Sequence, residues 1–217
     1  MTTPHPGLDR ETEEQAFYHE AALNATWTAS RLAVGGLCFF FGAFLFAYFY
    51  LRSLDSSGRW QGSGYVPPSM LMGTVIMLLV LVSAGVHDAG LQRAKAGSKL
   101  TWQVCAAVAF VFGLGAVAMQ VIELLFLPFS PGSSGFSSVF TGFYAVFSVV
   151  LLTGMFWLET LLARSRSIPG VAFVEQPPTY SEAFAVQRFQ ANISGFTLVW
   201  NFLAAMAILF WVLFYAL

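Results

Sequence analysis

The chain has 217 residues, of which 57% are hydrophobic and 10% charged, and its formal net charge is −1. About a quarter of the residues of a soluble domain are charged, so this composition excludes an ordinary soluble protein and predicts an integral membrane protein. A near-neutral chain without a basic stripe also argues against nucleic acid as a partner.

A polar N-terminal segment, residues 1–31, precedes five long apolar runs. The segment has a helical tendency from about Leu8, and its acidic residues argue against a cleaved signal peptide. Each run has at least the roughly 18–20 residues that a helix needs to cross hydrocarbon. We therefore predict an all-α membrane protein in which residues 32–217 form a five-helix transmembrane bundle, with helices at about 32–51, 70–87, 100–127, 136–162 and 192–216.

The loops predict the orientation and one helix start. Eight Lys and Arg residues lie in the N-terminal segment and in the second and fourth loops, whereas only Arg52 and Arg59 lie on the other side. The positive-inside rule places the N-terminus in the cytosol and the C-terminus outside. Thr179 followed by Glu182 is a capping-box pattern, which predicts that the last helix begins before its apolar run.

Stripes of small or polar residues predict which helix faces pack. In the first helix, Gly35, Cys38 and Gly42 share a face that permits close helix approach. Cys38 and Cys105 are interpreted as small buried hydrophobes and not as a disulfide or metal pair. In the last two helices, polar side chains align as interhelical hydrogen-bonding groups; they are Ser137, Thr141, Tyr144 and Ser148, and Ser194, Thr197 and Asn201.

The third helix carries an acid inside an apolar run. Gln120 and Glu123 share a face with Gly113 and Ala116, because each residue turns a helix by about 100°. An ionisable group at such a position normally faces protein or water and is a functional-site hypothesis by default. No titratable relay surrounds it, so we predict a structural role. Glu123 should be hydrogen-bonded to a neighbouring helix, to the polar stripe of the fourth helix or to Asn201.

The sequence offers little catalytic chemistry. No two His, Cys or carboxylate residues share an apolar helix at ligand spacing, so no metal or haem site and no catalytic residue are expected in this chain. His87 and Asp88, at the end of the second apolar run, are interpreted as interfacial residues near lipid headgroups or a partner subunit.

Five motifs follow one another on the five helices. They are the aromatic run Phe39 to Arg52, Gly73–Thr74 before a Leu-rich segment, Gln120-x-x-Glu123 after a glycine pair, Thr141–Gly142–Phe143, and Trp200–Asn201–Phe202 followed by Tyr215. In this order they resemble subunit III of the haem–copper respiratory oxidases, which include cytochrome c oxidase and its quinol-oxidase relatives. The resemblance covers roughly residues 32–216 and suggests the five-helix form of that subunit.

The chain also departs from this family. Gly36–Leu37 stand where the family has Ser-Glu, Tyr144 and Phe147 where it has two histidines, and Ala204 where it has an aspartate. Functions attached to those family residues are not implied here. The positions that match closely, with an implied structural role, are Gln120, Glu123, Thr141, Trp200 and Phe202.

The resemblance implies a non-catalytic subunit of a bacterial terminal oxidase in the cell membrane. Its partners would be subunit I directly, subunit II and further subunits, with phospholipid bound along the Phe-rich faces. Haem and copper are expected in the partner subunits, where O2 is reduced to water and protons are translocated. Two other interpretations stay open: the equivalent small subunit of a nitric oxide reductase or of a respiratory supercomplex, and a standalone small transporter or assembly factor.

Overall fold

The computed structural model describes residues 6–55, 58, 60–62, 64–168 and 180–217, with side chains from residue 14 and, in the last helix, from residue 184. The helices are α1 (Pro6–Ser53), α2 (Met70–Lys95), α3 (Lys99–Leu125), α4 (Gly135–Ser165) and α5 (Tyr180–Trp211), which continues into a π-helical turn (Val212–Ala216). Within the described residues, five helices are long and apolar enough to cross a membrane. The predicted all-helical, multi-pass membrane architecture is confirmed.

Three helices extend beyond their apolar runs. α1 is continuous from Pro6, α2 continues past His87 to Lys95, and α5 begins at Tyr180, well before residue 192. Hydropathy marks where a helix can leave hydrocarbon, whereas backbone hydrogen bonds continue for as long as the side chains tolerate a helix. The ends of the apolar runs at 32, 87 and 192 are therefore not helix ends. The helical tendency predicted from about Leu8 and the early start predicted for the last helix are confirmed, whereas the continuation of α2 beyond His87 was not predicted. The predicted capping pair before α5 lies outside the described side chains.

Local signals fix two of the helix boundaries. Gly97 follows α2 with a φ of 86°, and its N–H closes on the carbonyl of Ala94. Glycine adopts this left-handed conformation without strain, so the chain turns directly into α3. At the other end of the bundle, Ser134 and Ser137 form a reciprocal capping box that starts α4.

The five helices form one closed bundle. α2 and α3 are an antiparallel hairpin with the most extensive contact, α4 packs on α3 and α1, and α5 contacts α1, α2 and α4. α1 and α5 run parallel in a constant register: Ser30 touches Gly195, and Tyr48 donates a hydrogen bond to the carbonyl of Leu213 at 2.7 Å. In both pairs the two residue numbers differ by 165, and this offset gives the relative depth of every residue on these two helices.

Aromatic rings fill the space between α1, α4 and α5. Phe41 is 1% exposed, and its ring lies 5.8 Å from those of Phe143 and Phe147 and 6.1 Å from that of Phe210. Each buried ring removes a large apolar area and packs through edge and offset contacts. The Phe-rich composition therefore serves the interior of the bundle as well as its lipid-facing surface.

The face of α1 that packs is not the predicted small-residue face. α1 contacts the bundle through Ser30, Phe41 and Tyr48, all at most 2% exposed. A Cβ placed on Gly35 or Gly42 would meet no atom within 4 Å. Cys38, on that same face, is exposed, and Cys105 is half-buried; both are free thiols. The interpretation of Cys38 as a buried residue is therefore wrong within this chain, because the stripe turns away from the bundle, whereas Cys105 packs against Gly90 of α2.

Candidate functional site

Glu123 lies near the end of α3, inside the bundle. Its exposed fraction is 5%, and that of Gln120 is 1%. Together with Gly113 and Ala116 these residues line the buried face of α3. A helix places residues at offsets of three, seven and ten on one side, so the stripe that contains the acid is also the stripe that packs.

Two tyrosines join Glu123 in one hydrogen-bonded cluster. The hydroxyl of Tyr215 donates to Oε1 of Glu123 at 2.7 Å, and the hydroxyls of Tyr144 and Tyr215 are hydrogen-bonded to each other. A tyrosine has one hydroxyl proton. Because that of Tyr215 is used on Glu123, Tyr144 is the donor in the second bond. The resulting chain runs from α4 through the π-helical turn to α3 and ties three elements together.

Gly73 makes room for this cluster on α2. A Cβ at Gly73 would overlap the ring of Tyr215, so only glycine lets the two helices approach this closely. The next residue, Thr74, accepts a hydrogen bond from Nε1 of Trp211 at 3.1 Å. The Gly73–Thr74 motif therefore holds the end of α5 by one steric and one polar contact.

Gln120 extends the cluster by one helical turn. Ser148 of α4 donates to Oε1 of Gln120 at 2.8 Å and also lies 2.8 Å from the carbonyl of Tyr144. A cavity of about 20 Å³ beside Gln120 and Tyr144 has room for a single water molecule. The polar stripe predicted on α4 thus supplies one direct hydrogen bond to α3, that of Ser148 to Gln120.

Two polar atoms in this region have no partner among the described residues. They are Oε2 of Glu123 and Oγ1 of Thr141, both buried. Buried polar groups are normally hydrogen-bonded, so Oε2 of Glu123 can still accept a hydrogen bond from a further donor. Thr141, although its motif matches the resembled family, does not join the cluster through its hydroxyl.

Trp200 anchors a second polar layer in the middle of the bundle. Its exposed fraction is 0%, and its Nε1 donates to Ser83 at 3.1 Å. Ser83 in turn donates to the carbonyl of Ala109 at 2.7 Å. Gly113 and Gly154 lie against the indole ring, and a Cβ on Gly154 would come within 2.6 Å of it. This single side chain therefore contacts α2, α3 and α4.

Phe202 is half-buried, and the centroid of its ring lies 6.3 Å from that of Phe41.

His87 belongs to the interior, in contrast to the interfacial position predicted for it. It is 1% exposed, since α2 continues beyond it and the ring of Phe196 lies 4.8 Å away. Its Nε2 lies 3.1 Å from Oγ1 of Thr197, whose own hydroxyl donates to the carbonyl of Ile193 at 2.9 Å. Nε2 is therefore the donor to Thr197, and Nδ1 has no partner among the described residues.

Asp88, the neighbour of His87, turns to the outer surface between α2 and α5. Asn201 donates through Nδ2 to both carboxylate oxygens, at 3.2 and 3.0 Å. Asn201 is exposed and Asp88 is half-buried. The prediction that Glu123 is hydrogen-bonded to another helical element is confirmed by its bond to Tyr215. Of the two partners considered, Asn201 is excluded, because it lies about four turns before Tyr215 along the chain.

Three contributors to these layers carry only weak signals in the sequence. Ser83 is a lone hydroxyl in the apolar part of α2, and Gly154 a lone glycine in the middle of α4. Tyr215 stands out in the sequence only through its place in the resembled motif, which implies no partner for it. Each acquires its role from a residue on another helix, which no local pattern specifies.

No cluster typical of a metal centre is found in the described part of the chain, where no group of three or more His, Cys, Asp or Glu residues could hold an ion. No family model matches the chain. No curated protein matches it either.

Proposed function

We propose that this chain is a non-catalytic, subunit III-like component of a bacterial terminal oxidase. It would span the cell membrane with its N-terminus in the cytosol and pack on the haem- and copper-bearing subunit I, near subunit II. The partner subunits would supply haem and copper and reduce O2 to water while protons are translocated. This chain would stabilise and shield the membrane flank of the catalytic subunit and bind phospholipid.

One observation carries the proposal. The motifs that resemble subunit III lie on separate helices, and residues from three of them meet in one cluster: Gly73 on the ring of Tyr215, and Tyr215 on the carboxyl of Glu123. The cluster also includes Tyr144, which directly follows the Thr-Gly-Phe motif. Such convergence is expected if these motifs are the packing contacts of a subunit III-like bundle.

The lateral surface of the bundle supports a role beside other membrane proteins and lipid. Large apolar side chains are widely exposed, including Phe39 at 88%, Val111 at 68% and Phe156 at 66%. Surfaces of this kind need hydrocarbon or a protein neighbour. The Phe residues of α1 are suited to acyl chains, and the aliphatic faces of α3 and α4 to a partner subunit.

The surroundings of Glu123 favour a structural role for this residue over a place in a transport path. Glu123 is 5% exposed and hydrogen-bonded, and the cavity beside Gln120 and Tyr144 holds no more than one water. A standalone transporter would need a wider aqueous route to this carboxyl group.

The test is purification from native membranes in a mild detergent through an affinity tag. We expect a haem-containing complex with an absorption spectrum in the visible range and O2 consumption. Glu123→Leu should lower the yield of the complex, and Glu123→Gln should not. Recovery of the chain without any haem protein would refute the proposal. A complex that reduces nitric oxide and not O2 would assign the chain to a nitric oxide reductase instead.

A further inference from the structure

On the outer surface of the bundle, two opposite charges have no ionic partner within the part of the chain that the structure describes. The carboxylate of Asp88 accepts hydrogen bonds from Asn201, and the guanidinium of Arg31 lies 5.4 Å from the ring centroid of Trp27. Among the described residues, these are the polar and cation–π contacts of the two charges, and neither is an ion pair. Asn201 offers a further acceptor, its amide oxygen, so the surface around Asp88 is rich in acceptors and lacks a cation.

Asp88 lies at a depth where exposure to lipid is unfavourable. α2 has 26 residues, so it is about 39 Å long, more than the roughly 30 Å of hydrocarbon. Arg93 and Lys95 occupy its last turn, which marks the membrane boundary. Asp88 precedes Arg93 by five residues and is therefore about 8 Å deeper. Exposed polar groups at hydrocarbon depth normally face protein or water, so this surface requires a cover.

Arg31 lies at the same depth. His87 contacts Thr197, and the register between α1 and α5 of 165 residues places Thr197 level with residue 32 of α1. Arg31 is therefore within about one helical turn of Asp88 along the membrane normal. An arginine side chain can span that difference.

Arg31 continues the small-residue stripe of α1. Gly35, Cys38 and Gly42 follow it at offsets of four, seven and eleven, which fall within an arc of about 60°. A Cβ on either glycine would meet nothing within 4 Å. The stripe therefore presents a flat surface to which another helix can approach closely, with one positive charge at its end.

The stripe and Asp88 face the same side of the bundle. Phe44, which touches α4 at Gly142, lies about 200° around α1 from Gly42, so the stripe turns away from α4 and toward the free flank of α5. On that flank, a cavity of about 260 Å³ is lined by Leu23 of α1, Leu91 of α2 and several residues of α5. α1 and α2 therefore border one surface, with α5 between them.

We propose that a second copy of this chain covers this surface. In the dimer, the α1 stripe of each protomer packs on the α2–α5 surface of the other, and Arg31 pairs with the partner's Asp88. A two-fold axis along the membrane normal keeps every residue at its own depth, so the match in depth allows both pairs to form at once. Charge complementarity selects a second copy as the occupant, since the chain carries both members of the pair. This surface does not depend on the proposed function.

Cysteine cross-linking tests the arrangement with a thiol that the chain already has. The same register places Cys38 level with residue 203 of α5, and hence close in depth to Leu81 of α2, which is half-buried and lies seven residues before Asp88 on the same helix face. In native membranes treated with copper phenanthroline as oxidant, Leu81→Cys should give a disulfide-linked dimer of the chain. The dimer should disappear in Leu81→Cys combined with Cys38→Ser. Leu152→Cys, 51% exposed on α4, is the matched control and should give none; it lies at a similar depth, because Gly154 on the same helix lies against Trp200.

Charge exchange tests the ion pair itself. Arg31→Glu and Asp88→Arg should each lower the dimer yield at least about tenfold, and the double variant should restore it. Asp88→Asn, which keeps a hydrogen-bonding group beside Asn201, should lower the yield without unfolding the chain. Glu159→Gln, which removes an exposed charge from α4, should leave the yield unchanged.

Three results would overturn the proposal. The first is cross-linking of Leu81→Cys to a different polypeptide and not to a second copy. The second is equal cross-linking of the Leu152→Cys control. The third is a change in the thermal unfolding of the monomer on charge exchange with no change in dimer yield, which would place the ion pair within one chain.

Discussion

Tyr215 donates a hydrogen bond to Glu123 at 2.7 Å, across a separation of 92 residues. The bond closes the bundle at the end of α5, where the helix widens into its π-helical turn. It also gives the buried acid a partner that is itself fixed by Gly73 and Tyr144. Glu123 is thus a packing residue whose partners all come from other elements.

We expect Glu123→Gln to be mild and Glu123→Leu to destabilise the bundle by about 1–2 kcal/mol. Glutamine keeps the oxygen that accepts from Tyr215, whereas leucine leaves that hydroxyl without its acceptor. Reversible unfolding in mixed micelles, followed by circular dichroism, measures the difference. Tyr215→Phe removes the same bond from the other side and should match Glu123→Leu in direction. Wild-type stability of both Glu123 variants would contradict this account.

Gly154→Ala should destabilise the bundle by about 1–3 kcal/mol. The new Cβ would come within 2.6 Å of the ring of Trp200, and this indole is enclosed on all sides and cannot move away. Gly115→Ala is the control, because its Cβ would meet only Leu79 at 3.9 Å. Thermal unfolding in detergent compares the two, and equal stability would show that α4 can shift to relieve the contact.

Ser83→Ala should cost about 1–2 kcal/mol, because it leaves the indole N–H of Trp200 buried without an acceptor. The same substitution also frees the carbonyl of Ala109 from its second donor. Thr153→Val is a suitable control, since the hydroxyl of Thr153 is exposed and bonds only to the carbonyl of Val149 in its own helix. Tryptophan fluorescence would report the change around Trp200 directly. An unaltered emission maximum together with unaltered stability would argue against a stabilising role of the hydrogen bonds from Trp200 to Ser83 and from Ser83 to Ala109.

Thr141→Val should be neutral or slightly stabilising. The hydroxyl of Thr141 is buried without a partner among the described residues, and replacing such a group with a methyl group of similar shape removes an unsatisfied polar atom. Unfolding of the variant beside that of Ser148→Ala, which loses the bond to Gln120, separates the two hydroxyls. A clear loss of stability in Thr141→Val would reveal a missing partner, such as a buried water.

Several features followed from local sequence. Five apolar runs of sufficient length predict five membrane helices, because the cost of exposing backbone to hydrocarbon leaves few other structures. The face of α3 with Gln120 and Glu123 follows from helical periodicity alone. The continuation of α2 from His87 to Lys95 does not follow from hydropathy, which reports the membrane boundary and not the helix boundary.

The partners of each face were decided only by the tertiary structure. In a soluble helix, polarity separates the buried face from the exposed face. In a bilayer both faces are apolar, so the sequence of α1 shows a small-residue stripe without showing that the stripe faces outward. For the same reason the sequence could not distinguish Tyr215 from Asn201 as the partner of Glu123. The partner of Glu123 depends on the depth of each residue and on the order of the helices in the bundle. These place Tyr215 beside Glu123 and Asn201 beside Asp88.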